Sequence, residues 1–361
     1  MTAGARPLRV AHLTTSDISL RYLLMPQLLA GVERGWEMTG ISAPGPDADH
    51  LPSRGVRHIA LRSSTRAQSI RSDIRAAREL WKVLRAERFD VLHTHNPKTG
   101  LYGRIVGRLA GVPVVVHTTH GLYASPDDPW PKRLLVYALE AIASRFADAD
   151  LVQNPEDLAL MRRLRLVPRG RAHLLGNGID VRRFDPAAFT PAQRVAIRAA
   201  MGIGPEQVVV GAVGRLVAEK GFAEIFQALP AFGDNVTLVV AGPGDDAKAD
   251  SLPADAMARA RASGVHFLGM RTDVEAVYAS MDIFVLASYR EGYPRAAMEA
   301  AAMALPIVAT DIRGCREVVR HGENGFLVPV RDPGALAGAV RQLVEDHELR
   351  AEMGAAGRAR A

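Results

Sequence analysis

The sequence predicts an α/β protein made of two doubly wound parallel-sheet units facing a central cleft. Three observations lead there. Short, near-continuously apolar runs alternate with helical patterns, as expected of parallel strands covered on both faces. The alternation runs twice, with an interruption over 165–191 where Pro168, Gly170, Gly176, Gly178, Pro186 and Pro191 break periodicity. At 361 residues the chain is also long enough for two ordinary cores. The boundary falls near residue 178, giving units 1–178 and 179–361.

In the first unit the expected strands are "LRVAHL", "MTGISA", "FDVLHTH", "VPVVVHT" and "ADLVQN". Helical patterns over 66–87, 99–110 and 130–146 supply the right-handed crossovers between them. A helix after the break precedes "QVVVGAVG", which opens the second unit. "NVTLVVAG", "VHFLG", "DIFVLAS" and "PIVATD" follow as strands, with helices over 219–230 and 294–304. Another helix opens near Thr272 and Asp273, with Thr272 placed as its N-cap. Pro294 fits the first turn of the helix over 294–304, since a proline there lacks only an N–H that has no helical partner.

Composition narrows the class. Apolar residues make up 48% and charged residues 23%, as in a soluble globular protein. No apolar run reaches the roughly eighteen residues that a bilayer span needs. The N-terminus lacks a signal-peptide pattern, and a single cysteine, Cys315, offers neither an internal disulfide nor a cysteine metal cluster. A cytoplasmic location is expected. Residues 1–190 carry 27 Lys+Arg against 18 Asp+Glu, and residues 191–361 carry 18 against 21, so the net +6 comes from a basic first half. That half suits anionic lipid, nucleic acid or plain solvent. The aromatic interleaving of a single-strand binder is absent, so nucleic acid is not expected.

The chemistry sits in loops at strand ends. In "GAVGRLVAEKGF", 211–222, Gly211 and Gly214 mark a sharp turn, with Arg215 just after it and Lys220 heading a helix. Two cations beside a helix start suit a phosphate; the stretch also reads as a glycine turn with two solvated cations. It is not G-x-G-x-x-G, so the dinucleotide fingerprint fails. After "VHFLG", the backbone of Gly269, Met270 and Arg271 could meet a base edge. "REGYPRAAMEA", 290–300, sets Glu291 in a loop and Glu299 one turn inside a helix, with the amides of Tyr293 to Arg295 at its positive end. Such a segment can hold a phosphate while two carboxylates accept hydroxyls, a ligand with a charged middle and hydroxylated ends. "GDD" at 244–246 lies in a turn, and no D-x-D set with a third ligand is present, so no metal site is expected.

"GRLVAEKGF", "FLGMRTDV", "SYREGYPRAAMEAAAMALPIVATDIRGCREVV" and "HGENGFLVPVRDPGAL" together resemble the donor half of retaining glycosyltransferases of family 4, with the GT-B fold. Glu291 and Glu299 match that family's E-x7-E motif. "HTHNPKTGLYGRIVGRLAGVPVVVHTTHGLY", "QNPEDL" and "LLGNGIDVRRFDP" resemble members that assemble capsule, exopolysaccharide or O-antigen repeats on lipid carriers. The resemblance implies that Arg215 and Lys220, beside Gly214, hold a donor diphosphate, and that Glu299 accepts the ribose hydroxyls. It implies that Glu291 contacts the transferred sugar and that Tyr293, Pro294 and Arg295 line the phosphate pocket. Met270 and Arg271 would edge the base, and His120 in "HTTHG" would face the sugar and β-phosphate from the first unit.

The implied reaction is metal-independent transfer of a hexose or N-acetylhexosamine, with retention, from a nucleotide diphosphate sugar to a lipid-linked or saccharide acceptor. UDP is the expected nucleotide; the donor is a co-substrate, so no cofactor is expected. Residues 93–100, with His95, Asn96 and Lys98, could touch the acceptor or form a plain strand-to-helix turn. The basic charge of residues 1–190 adds the expectation of peripheral contact with anionic membrane at its inner face. Two departures from the family stand out. The loop after the first strand is "TTSDISL" in place of Gly-Gly, and the chain stops at "GRARA" where members usually continue with a helix crossing back. Competing readings are a nucleotide-sugar epimerase of the same fold, a phosphorylase or sucrose/trehalose-type synthase acting on free sugars, and a non-catalytic nucleotide-sugar-binding subunit of a polysaccharide assembly complex.

Overall fold

The computed structural model describes residues 6–65, 69–124, 128–244 and 251–361. The chain divides into two compact units, Met1–Gly176 and Asn177–Ala361. In the first, seven strands form one sheet: β1 (Arg9–Ser16), β2 (Glu37–Ala43), β3 (Arg57–Ala60), β4 (Val91–His95), β5 (Val114–Thr119), β6 (Ala149–Val152) and β7 (Ala172–Leu174). Their order across the sheet is β3-β2-β1-β4-β5-β6-β7, all parallel. The second unit has β8 (Val208–Val213), β9 (Val236–Ala241), β10 (His266–Gly269), β11 (Ile283–Leu286), β12 (Ile307–Thr310) and β13 (Gly325–Val328). They are ordered β10-β9-β8-β11-β12-β13, again all parallel. In each sheet the strand order reverses once, between β1 and β4 and between β8 and β11. Open α/β sheets bind ligands outside the carboxyl ends of such a pair.

All ten expected strands form. Three more form at the sheet edges: β3 and β7 are short and largely exposed, β3 reading Arg-His-Ile-Ala with both ends exposed, whereas β13 reads Gly-Phe-Leu-Val, an apolar run that was not among the expected strands. The interior strands bury both faces. Ala11, Leu13, Ile41, Leu92 and Val115 join one core, while Val10, Met38, Leu20 and Leu28 join another. In the second unit Val210, Val240 and Val285 face one core, and Val209, Val239 and Phe284 the other.

The helix Pro97–Leu109 shows why small residues recur in "KTGLYGRIVGRL". A Cβ on Gly103 would stand 2.6 Å from Leu13, and one on Gly107 would stand 2.6 Å from Leu92. Glycines at this spacing let the helix lie close on β1 and β4. Elsewhere the helical expectations shift. The pattern over 219–230 is broken into a 3₁₀ turn Ala218–Lys220, a helix Phe222–Ala228 and a second 3₁₀ turn Leu229–Ala231. The break is Gly221, at φ 69°, where a Cβ would fall 2.0 Å from the Ala287 carbonyl oxygen; only glycine fits there. The helix expected over 294–304 spans Arg295–Ala302, with Pro294 outside it as the cap residue, and Ala304 turns left-handed beyond it. Thr272 does not cap the following helix: Asp273 precedes Val274–Ser280, and the Thr272 carbonyl accepts from Arg183 at 2.8 Å. The helix expected from residue 66 runs Ile70–Glu87 behind Ser69; residues 66–68 lie outside the described residues.

Candidate functional site

In the second unit the carboxyl ends of β8, β9 and β10 are laced together by glycines. Gly214 N–H donates to the Ala241 carbonyl at 2.9 Å, and Gly242 N–H donates to the Gly269 carbonyl at 2.8 Å. A Cβ on Gly242 would lie 1.9 Å from the Gly214 oxygen, and Gly242 itself has φ 148°. The "VVAGPG" turn therefore seats the Gly214 loop, a role no local pattern revealed.

At the strand reversal, β8 meets β11, and the loops after them meet as well. Lys220 Nζ donates to Glu291 Oε1 at 2.5 Å, and Ser288 Oγ donates to the same oxygen at 2.7 Å. Both charged side chains are largely buried, 20% and 12% exposed, so water screens the pair only in part. Tyr289 N–H donates to the Glu219 carbonyl at 2.9 Å and ties the two loops by backbone too. Glu219 then stands between two guanidinium groups, 3.5 Å from Arg215 Nη2 and 3.5 Å from Arg290 Nη2. Gly314 passes so close that a Cβ there would be 2.5 Å from the Glu291 carbonyl oxygen. The fold thus gathers Arg215, Lys220, Arg290 and Glu291 in one place. The sequence reading had named three of them; Arg290 and Ser288 it passed over, though both adjoin a strand end.

Glu299 occupies a different environment. Its Oε2 accepts from the hydroxyl of Tyr278, a fully buried ring, at 3.0 Å, and Arg295 lies 3.9 Å from Oε1. Burial raises the Glu299 carboxyl above its usual range, against the pull of Arg295 and the Tyr278 bond. The first bond of its helix runs from Met298 N–H to the Pro294 carbonyl, so the N–H groups outside the helical ladder are those of Arg295, Ala296 and Ala297. The donors expected from Tyr293 to Arg295 move along by this amount: Pro294 has no N–H, and the Tyr293 carbonyl accepts from Asn177 Nδ2 at 3.3 Å. Met270 is exposed at the end of β10, and Arg271 is clamped by Asp273 at 2.9 and 2.6 Å.

In the first unit, His120 follows β5 half-buried. Its Nδ1 lies 3.2 Å from Gln153 Oε1, and its Nε2 lies 3.0 Å from His95 Nδ1. His12 and His93 pair in register on β1 and β4. Burial pushes His12 and His120 down to about 4, and His93 and His95 well below their usual value. Among the described residues His12, His93 and His95 form the set whose ligand atoms are close enough for a metal ion, all within 4.8 Å. "GDD" lies in part outside the described residues. The stretch "TTSDISL", expected as a loop, is strand to Ser16 and helical from Asp17 into the π-helix Ser19–Leu24; Asp17, at that helical start, accepts from Asp47 N–H at 2.9 Å and braces the 3₁₀ turn Pro46–His50.

Residues 207–346 match the family described as glycosyl transferases group 1, and residues 25–178 match the glycosyl transferase 4-like domain. The chain is 29% identical over 359 residues to an Escherichia coli UDP-Gal:alpha-D-GlcNAc-diphosphoundecaprenol alpha-1,3-galactosyltransferase, covering 93% of this chain and 90% of that one. It is 32% identical to the alpha-maltose-1-phosphate synthase of Mycolicibacterium smegmatis, covering 78% and 76%. Among solved structures, Anabaena HepE in complex with UDP superimposes with a TM-score of 0.76 at 20% identity, over 98% of this chain and 94% of that one. This last likeness is one of fold.

Proposed function

The chain belongs to the family 4-like, group 1 glycosyltransferases of GT-B fold, and from that premise we propose that it transfers a sugar with retention from a UDP-sugar to a lipid-linked acceptor in cell-surface polysaccharide assembly. The observation that carries the reading is the Lys220–Glu291 pair beside Arg215 at the β8/β11 reversal. Breaking a glycosyl–diphosphate bond builds negative charge on the leaving phosphate and positive charge on the anomeric carbon. A cation and a carboxylate locked 2.5 Å apart present both complements at once. Lys220 and Arg215 take the diphosphate, with the Gly214 turn giving its backbone room. Glu291 faces the sugar, Tyr293, Pro294 and Arg295 border the phosphate, Glu299 takes the ribose, Met270 and Arg271 edge the base, and His120 acts in catalysis. UDP is supported by the names of the galactosyltransferase relative and of the Anabaena complex.

The proposal makes UDP a stabilising ligand. At about one hundred times its Kd it adds roughly 2.7 kcal/mol, a melting shift of several degrees. Arg215→Ala with Lys220→Ala is expected to abolish that shift, read as the difference with and without UDP because the double variant also strips Glu291 of a partner. Equal shifts in both proteins would remove these residues from the phosphate site. Side-chain cations stabilise the leaving group here, so turnover is expected to persist in EDTA. Activity lost to the chelator and restored by Mn²⁺ or Mg²⁺ would overturn that assignment.

A lipid-linked acceptor calls for a membrane-facing surface, and the first unit has one of suitable chemistry. The helix Pro97–Leu109 packs against both Ile70–Glu87 and Trp130–Ala143. On the first neighbour Arg71, Arg75, Arg78, Lys82 and Arg85 are all exposed. On the second, Trp130, Leu134, Leu135 and Ile142 are each more than half exposed. No helix among the described residues is long and apolar enough to cross a membrane. Binding to anionic vesicles is expected to weaken with salt, as the Debye length falls from about 10 Å at 0.1 M to about 3 Å at 1 M. Trp130→Ser with Leu134→Ser should lower the part that survives high salt. Equal partitioning onto neutral and anionic vesicles would sink the electrostatic component.

A further inference from the structure

The histidines of the first unit form a directed chain. His12 on β1 and His95 on β4 lie at the strand reversal of the first sheet, and His120 follows β5, the next strand over. Register explains their meeting: His12 pairs with His93, and His95 pairs with Thr118, so alternation sends His12, His93, His95 and Thr118 to one face. His93 is engaged by the Thr118 hydroxyl at 2.7 Å. The other three rings connect end to end, His12 Nδ1 to His95 Nε2 at 3.0 Å and His95 Nδ1 to His120 Nε2 at 3.0 Å, with Gln153 Oε1 closing the row at 3.2 Å from His120 Nδ1.

A neutral imidazole has one donor and one acceptor nitrogen, so each contact dictates the next. Gln153 Oε1 can only accept, which puts the His120 proton on Nδ1 and leaves Nε2 as acceptor. His95 must then donate from Nδ1 and accept at Nε2, and His12 must donate from Nδ1. Reversing the order requires a proton shift on all three rings and a turn of the Gln153 amide. Burial favours the neutral rings that this logic requires. We propose that His95, backed by His12, is the positioning residue of His120: its Nδ1–H holds the plane of that ring, while Gln153 sets the Nδ1–H tautomer. The inference rests on the glycosyl-transfer reading for its purpose and on the hydrogen bonds alone for its geometry. The row also favours a relay over a metal site, because His12 Nδ1 and His95 Nε2 are spent on each other.

Histidine-selective ¹⁵N labelling of the full chain tests it, since long-range ¹⁵N–¹H correlations distinguish the two tautomers. His12, His95 and His120, assigned by single substitution, are expected as Nδ1–H forms. His95→Leu should leave His120 Nε2 without its donor, loosen the ring from its plane while Gln153 keeps it Nδ1–H, and lower kcat about tenfold or more. The donor KM should change little. His95→Asn, whose side-chain amide can stand where Nδ1–H stood, should restore most of kcat. If His95→Leu does not fold, the wild-type spectrum and His95→Asn still decide. An Nε2–H signature for His120 in the wild type, zinc bound stoichiometrically at these rings, or a His95→Leu enzyme with unchanged kcat would each overturn the proposal. If no donor is ever turned over, the transfer reading falls while the spectrum still judges the relay.

Discussion

Glutamine in place of Glu291 is expected to lower kcat by about 10²–10³-fold, with the donor KM nearly unchanged. The carboxylate holds Lys220 and Ser288 on one oxygen, so the amide can keep one of those donors and the loop keeps its shape. What it cannot keep is the negative charge. That charge fixes Lys220; in the proposed reaction it also offsets the positive charge at the anomeric carbon as the glycosyl bond breaks, while Lys220 turns to the phosphate. Both effects grow toward the transition state, which is the condition for lowering kcat. Glu299→Ala should fail differently. That carboxylate is assigned to a part of the donor that does not change during reaction, so its loss removes uniform binding and raises KM. Tyr278 retains a second acceptor in the Ala296 carbonyl at 3.1 Å, which limits the structural damage. Steady-state kinetics on both single variants with one donor separates the roles; a slow Glu299→Ala beside a normal Glu291→Gln would exchange them.

The largest stability effect is expected from Arg104→Leu, at about 3–5 kcal/mol. Arg104 is 0% exposed, in the middle of the helix Pro97–Leu109, and its guanidinium meets Glu140 at 2.7 Å and Asp150 at 2.9 Å. Asp150 is equally buried, and burial pushes it up to about 7 against the attraction of Arg104. Removing the cation strands a carboxylate inside the first unit, and that unit's melting transition should fall by roughly 6–20 °C. Adding Asp150→Val to Arg104→Leu should recover much of the loss, since well-packed apolar groups often replace a buried pair at little cost. A single variant that melts within about 2 °C of wild type would show that the network contributes little.

The arginine illustrates the limit of sequence reading. In "GLYGRIVGRLAG" Arg104 and Arg108 look alike, two cations one turn apart. One is sealed against β6 and the other reaches Asp148 near the surface. Only the packing of the Gly100–Gly103–Gly107 face onto the sheet separates them. The helix Pro155–Arg163, by contrast, carried a local signal that went unused: Asn154 accepts from the Glu156 and Asp157 N–H groups at 2.8 and 3.2 Å, as its place before Pro-Glu-Asp would suggest. Of the edge strands, β3 and β7 gave no such signal, whereas the apolar run of β13 did.

Local physics accounts for what the sequence alone determined. Apolar runs long enough for strands, glycines and prolines that interrupt periodicity, and prolines at helix starts act over a few residues, so they established two α/β units and placed Gly214, Lys220 and Glu291 at strand ends. Which of these side chains meet was decided by the tertiary structure. Lys220 and Glu291 are 71 residues apart, Arg104 and Asp150 are 46 apart, and His12 and His95 are 83 apart. Each contact exists because the sheet sets strands distant in the chain side by side, β8 beside β11 and β1 beside β4, and an ion pair or hydrogen bond forms only where that order brings donor and acceptor within about 3 Å.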